Sequence, residues 1–272
     1  MRWMTGRTGF FALSLAYIAL VVACIGSLAK EGDLSMGRNP WANLSATVQD
    51  FARPSFLDIW FGNPRMEYRS DDGTLLRVED RQVVELKYVS ELAAATWTTI
   101  RIATLGSLLG ALFALPLALL SARNLAAPAF LAWGAKGTLD VLRSIHTLVF
   151  GLVLVGVVGL GPTAGILAIA LHSMGTYGKL FAESIETLDS AAINAVWPAV
   201  LPQFVSSHLY VWEFNIRDST VLGLIGAGGL GMLITEATSL FQWGRLSTVL
   251  LVVIAMVISF DAMSRRIRMA LA

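Results

Sequence analysis

Within a long apolar stretch from Tyr210 to Gly231, YVWEFNIRDSTVLGLIGAGGLG, stand Glu213, Asn215, Arg217 and Asp218. A charge at the centre of a bilayer costs at least ~2.5–3.5 kcal/mol on the mildest scale, so such residues face a partner helix, water or a solute path. Glu213 and Arg217 are four residues apart with the acid first, the better order for pairing on one helix face. Two chemistries are open to them. One is a buried ion pair that fixes helix packing; the other is a charged lining in which a partly neutralised Arg217 meets an anion. Gly223, Gly226, Gly228, Gly229 and Gly231 follow, a density of glycine that makes poor continuous helix. Charges followed by a glycine-rich break inside apolar sequence point to a translocation path rather than a plain anchor.

Arg101 is another charge set deep in an apolar segment, unless its stem carries the guanidinium to the surface. His146, His172 and His208 lie in or near apolar runs, where a hydrogen-bonded packing role accounts for any single histidine. They show neither HxxxH nor HExxH spacing, so no metal site is read from them. No GxxxxGK[ST] phosphate loop and no GxSxG elbow occurs, so neither ATP binding, nor catalysis, nor a cofactor is expected of the chain itself. Cys24 is the only cysteine, which leaves no internal disulfide and no cysteine-based metal site.

The elements that carry these residues are membrane helices. Of 272 residues, 56% are hydrophobic and 14% charged, against roughly a quarter charged in soluble proteins. The net charge of +1 gives no reason to invoke nucleic acid. Six apolar blocks approach the ~20 residues that a crossing needs: about 9–29, 92–121, 145–160, 163–181, 199–222 and 246–263. The first has the basic lead and apolar core of a signal peptide, but its length fits a retained helix better. Basic residues at Arg2, Arg7, Arg123, Lys136, Arg143, Lys179, Arg265, Arg266 and Arg268 place both termini in the cytoplasm. The expected fold is therefore an all-α, six-helix integral membrane protein. A first part, 1–91, holds the first helix and an external segment; a second, 92–272, holds five helices.

The external segment reads as partly ordered. Phe51–Phe61 is aromatic and amphipathic, as for a helix at the membrane interface with Trp60 as anchor. Residues 65–79 read as a hairpin turning at Asp72-Gly73. On the inner side, the loop after the fourth helix runs AESIETLDSAAINAVWPAVLPQ. A short helix of small residues there suits docking into a cleft of another protein, and an ordinary connecting loop fits as well.

Four stretches carry a resemblance. They are Leu120–Leu125 (LSARNL), Val158–Glu183 (VGLGPTAGILAIALHSMGTYGKLFAE), Leu209–Gly231 with its WExNxRxSTVLGxIGAGGxG pattern, and Glu236–Gln242 (EATSLFQ). With the helix layout, the chain resembles the membrane-spanning permeases of phosphonate-type ABC importers, which have the type I importer fold. The resemblance covers most of 92–268 and little of 30–90. It implies a second permease copy (itself or a paralogue), a cytoplasmic ABC ATPase and an external phosphonate-binding protein, in a bacterial inner membrane. It also implies import of phosphonate-like anions, with phosphite or another small anion as the alternative. Arg217, Asn215 and Glu213, with Arg101 and His172, are then the expected pathway residues. Gly223, Gly226, Gly228, Gly229 and Gly231 are the expected gate or scoop. Glu183, Glu186, Asp189, Asn194 and Ala195 are the expected ATPase contact.

Two departures stand out. The family's coupling box is reduced here to Ile193-Asn194-Ala195, without the usual glutamate and glycine, and the loop is about ten residues short, which also fits a transport-impaired or regulatory paralogue. At Ser144-Ile145-His146-Thr147 a proline usual in the family is missing, so a kink is expected to be lost.

Overall fold

A computed structural model describes residues 7–31, 39–70, 72–125, 128–187 and 196–271. The chain divides into two compact units, Met1–Gln49 and Asp50–Ala272. The first contains helix α1 (Arg7–Glu31), and helix α2 (Pro40–Phe51) runs to its boundary.

In the second unit a 3-10 turn (Ser55–Leu57) and a short helix α3 (Asp58–Phe61) precede an antiparallel hairpin, β1 (Arg65–Arg69) and β2 (Leu75–Asp80). The hairpin is the one expected, with Gly73 at φ +79° in its turn. The interface helix expected over 51–61 is not formed. Pro54 has no N–H to donate, and the chain leaves α2 and restarts as two short turns. These turns are pinned to the body. Asp58 takes ion pairs from Arg53 at 3.1 Å and Arg81 at 3.0 Å, and Ser55 shares a buried hydrogen bond with Thr248 at 3.1 Å.

Helix α4 (Arg81–Ser121) starts eleven residues earlier than the expected crossing. The Asp80 side chain caps it by accepting from the Gln82 N–H at 2.9 Å. At about 1.5 Å per residue it is roughly 60 Å long, twice a bilayer core, so its first turns extend beyond the span. The expected third crossing is also different. Helices α5 (Ala129–Ser144) and α6 (Thr147–Val158) form a pair bent by 90°. The kink is therefore kept without proline. His146 makes the break, its Nδ1 capping α6 by accepting from the Leu148 N–H at 3.2 Å, and α6 alone is only ~18 Å long.

Helix α7 (Pro162–Glu186) is followed by α8 (Val196–Leu222), a π turn (Gly223–Ala227), α9 (Leu230–Ser239) and α10 (Trp243–Leu271). Among the described residues three helices are long and apolar enough to cross a membrane, or five if each bent pair counts as one span. The further candidate is α7, which has the length but carries many small and polar residues. It has a different job: it lies at the centre, with its small residues buried against neighbours. Gly106 and Gly110 of α4 meet Ile169, Ala170 and Ser173 of α7 so closely that an added Cβ would sit 2.7–3.0 Å from them. Such small-residue seams let membrane helices approach where no hydrophobic force drives them together. Contacts advance in step, from Gly106 with Ile169 to Asn124 with Ile185, so α4 and α7 run parallel.

Candidate translocation site

Every sequence-predicted charge of α8 finds a partner. Glu213 accepts from Arg217 at 3.2 Å through Oε1 and from Arg268 at 3.2 Å through Oε2. Arg217 also lies 3.7 Å from Asp261. Two acids and two bases thus form a neutral network that ties α8 to α10. Its members differ in exposure: the Glu213 side chain is 13% exposed, that of Arg217 46%. Glu213 is the enclosed hub, and Arg217 keeps an open side next to the Phe214 ring. Asp261 escaped the sequence reading, and Arg268 was read only as part of the basic cluster that sets the orientation. Asp261 is an acid inside the last apolar run, and that was the available signal.

Asn215 lies elsewhere. It is 1% exposed, and its Nδ2 donates to Ser107 at 2.7 Å and Ser173 at 2.8 Å, pinning α8 to the α4–α7 seam. Substituting Asn215→Ala is expected to lower stability by roughly 1–2 kcal/mol, read as a lower melting temperature in detergent. Asp218 accepts from Thr147 at 2.8 Å and holds α6. Arg101, midway along α4, is exposed and donates only to its own helix's Thr98, at 3.4 Å. The His172 Nδ1 donates to the Ile145 carbonyl at 2.8 Å, fixing the α5–α6 break against α7. Neither hydrogen bonds to the charge network.

The five glycines build one compact turn at the end of α8. Gly226 holds φ +93° and its carbonyl accepts from the Gly161 N–H at 3.0 Å. Gly229 holds φ +76°, where an added Cβ would lie 2.4 Å from Thr99 Oγ1. That hydroxyl accepts from the Leu230 N–H at 2.9 Å, so α4 anchors the first turn of α9. Gly223 and Gly231 cross so closely that a Cβ on either would meet backbone atoms of the other within 2.7 Å. The helix is broken here, because Gly226 (φ +93°, ψ +14°) lies outside the helical range. The chain bends here, with α8 and α9 at 57° to one another.

At the opposite end, where α4 and α7 finish, Glu186 accepts from the Arg123 N–H at 3.0 Å and Asn124 donates to the Ile185 carbonyl at 2.7 Å. Glu186 therefore secures the loop after α4. Glu183 stands 3.7 Å from Lys179 and is exposed. Asp189, Asn194 and Ala195 lie outside the described residues.

The sequence matches no protein-family profile. Its structure is similar to the MetNI methionine ABC transporter in an inward-facing conformation, at TM-score 0.59 and 19% identity, over 67% of this chain and 96% of that one. It is similar also to an amino acid ABC transporter solved with histidines, at TM-score 0.58 and 16% identity, over 69% and 97%. The fold is that of a type I ABC importer permease. Among curated proteins, the phosphite transport system permease protein PtxC of Stutzerimonas stutzeri is 38% identical over 186 residues, 62% of this chain and 67% of that protein. The phosphate-import permease protein PhnE of Mycolicibacterium smegmatis is 32% identical over 193 residues, 65% and 36%. The chain belongs to the phosphonate-type permeases of ABC importers, the family that includes these phosphite and phosphate proteins. Its match to a second S. stutzeri relative of the phosphite type spans 66% of that protein, so the chain spans about two thirds of the length of these two phosphite-type relatives and about a third of the M. smegmatis protein.

Proposed function

We propose that the chain is the membrane subunit of an importer for phosphonate-like anions, driven by ATP hydrolysis on a separate subunit. The observation that carries this reading is Arg217. It is a half-open cation in a network that is neutral as a whole, a few residues from the glycine turn. An anion path needs donors without a fixed charge so strong that the ion never leaves. Glu213 and Asp261 set that balance for Arg217, while Arg101 offers further donors, His172 adds a polar ring to the path, and Asn215 keeps the helices in register.

The partners follow from the same reading. A second permease copy completes the path, and an external binding protein delivers the anion to the end that bears the glycine turn. An ABC ATPase docks at the end that bears Glu183, Glu186 and the residues up to Ala195. With the basic residues inside, both termini lie in the cytoplasm of a bacterial cell.

Vesicles reconstituted with ATPase and binding protein test this. ATP-dependent uptake of a radiolabelled alkylphosphonate is expected, and Arg217→Ala should lower it at least tenfold while the complex still assembles. Normal assembly without uptake would remove the transport reading; wild-type uptake by Arg217→Ala would remove the lining role alone. Phosphite is the second reading, favoured by the S. stutzeri relatives' names, and competition in the same vesicles ranks the two anions.

A further inference from the structure

Away from the α8 network, the cleft between α5 and α7 carries a second set of cations. We propose that Arg143, His172, Thr176 and Lys179 form an anion-holding vestibule on the transit path, selective for oxyanions that keep a proton. The inference rests on the transport reading above and adds a binding step to it.

Two adjoining cavities of about 320 and 450 Å³ open here. Arg143, Lys179 and Glu183 line both. His172, Thr176, Lys179 and Glu183 recur along one face of α7. Arg143 is brought to that face by backbone packing. A Cβ on Gly175 would lie 2.5 Å from the Arg143 nitrogen and 2.8 Å from the Leu139 carbonyl oxygen, so only glycine lets the last turn of α5 close on α7.

The charges are arranged to hold an anion loosely. Arg143 donates from Nε to one oxygen of Asp140 at 3.0 Å, and its Nη2 lies 2.9 Å from the same oxygen. Lys179 reaches Glu183 only at 3.7 Å. A guanidinium has five N–H donors and an ammonium three, so both keep donors in reserve. The two cationic side chains are 40% and 47% exposed. His172 supplies the complementary group. A carbonyl can only accept, so Nδ1 carries the proton in its bond to Ile145, and Nε2 of the neutral ring is an acceptor. Cationic donors beside an imidazole acceptor suit a tetrahedral oxyanion with both P–O⁻ and P–OH groups. Sulfate offers no hydroxyl to Nε2. A lipid phosphodiester shares the tetrahedral chemistry and likewise lacks the hydroxyl.

The test uses two readouts. In the complete transporter in vesicles, Arg143→Gln/Lys179→Gln is expected to lower uptake of methylphosphonate or phosphite at least tenfold at subsaturating concentration. Arg143→Lys should retain most of it. In parallel, radiolabelled phosphite is bound to the purified full-length permease in zwitterionic nanodiscs. The double variant should lose at least tenfold in affinity, and excess sulfate should not displace phosphite from the wild type. If wild-type vesicles transport nothing but nanodisc binding is lost in the double variant, the vestibule stands and the transport reading falls. Unchanged binding in the double variant, or displacement by sulfate, overturns the vestibule. So does a requirement for anionic lipid that disappears in the double variant, since the cleft then holds a headgroup.

Discussion

Gly231→Ala is expected to be among the most damaging single-methyl changes in the chain. The added Cβ would lie 2.2 Å from the Thr220 carbonyl oxygen and 2.6 Å from the Gly223 Cα. Both are backbone atoms, so no side chain can swing aside, and the α8–α9 crossing must open instead. Overpacking in a close-packed core costs up to about 3 kcal/mol, and here the strain falls where the π turn and the Thr99 anchor hold α9. Uptake should fall more than tenfold, with a lower melting temperature in detergent. Gly137→Ala in α5 is the control, because a Cβ there meets nothing within 4 Å. Wild-type uptake by Gly231→Ala would mean that the turn is not part of the moving path. Gly229→Ala should behave similarly for a different reason. Its φ of +76° disfavours any side chain, and its Cβ would displace the Thr99 hydroxyl that receives the Leu230 N–H.

How legible these features were depends on the range of the interaction. The Glu213–Arg217 pair is local, so a four-residue spacing revealed it. The rest of the network was not local: Arg268 meets Glu213 across 55 residues. It also sits with Arg265 and Arg266, where a basic cluster reads as an inner-surface anchor. Asn215 stood out as polar, yet its partners Ser107 and Ser173 are small hydroxyls that an apolar helix hides. Hydropathy located the crossings but not their form. It saw the apolar half of the third crossing and missed the 90° bend from amphipathic α5, because a bend made by a histidine cap leaves no apolar signature. It also missed the first turns of α4, which are charged and continue a helix beyond the membrane, although Asp80 was there as a cap. Within α7 the opposite held. A helix buried by its own protein needs small residues more than apolar ones, so the apolar block at 163–181 gave the helix while its glycines were the signal for its central, buried place.

The seam and the network divide the labour between them. Helices α4 and α7 are locked by glycine contacts and by Asn215, and neither can shift without breaking backbone packing. The α8–α10 contact is held by ion pairs whose partners are partly exposed, a contact that can rearrange at lower cost. Motion passed from an ATPase would therefore be expressed between α8, the glycine turn and α10 rather than within the seam.

That division gives the second large prediction its sign. Glu213→Ala removes the carboxylate shared by Arg217 and Arg268 and leaves Asp261, 3.7 Å from Arg217, as the acid of the network. Breaking one side of a buried ion pair costs about 3–5 kcal/mol. The partners here are 46% and 23% exposed, so screening and snorkelling reduce this to about 2 kcal/mol. The functional loss should exceed the stability loss. Arg217, no longer neutralised by Glu213, would hold the anion too tightly, so uptake at saturating substrate should fall while apparent affinity rises. Glu213→Asp, with a shorter carboxylate, should restore part of the rate. A purely structural role predicts something else: lower amounts of assembled complex with unchanged affinity in what remains. Measuring maximal uptake and half-saturation per assembled complex separates the two. If Glu213→Ala lowers the maximal rate without tightening half-saturation, the hub serves only to pack α8 against α10.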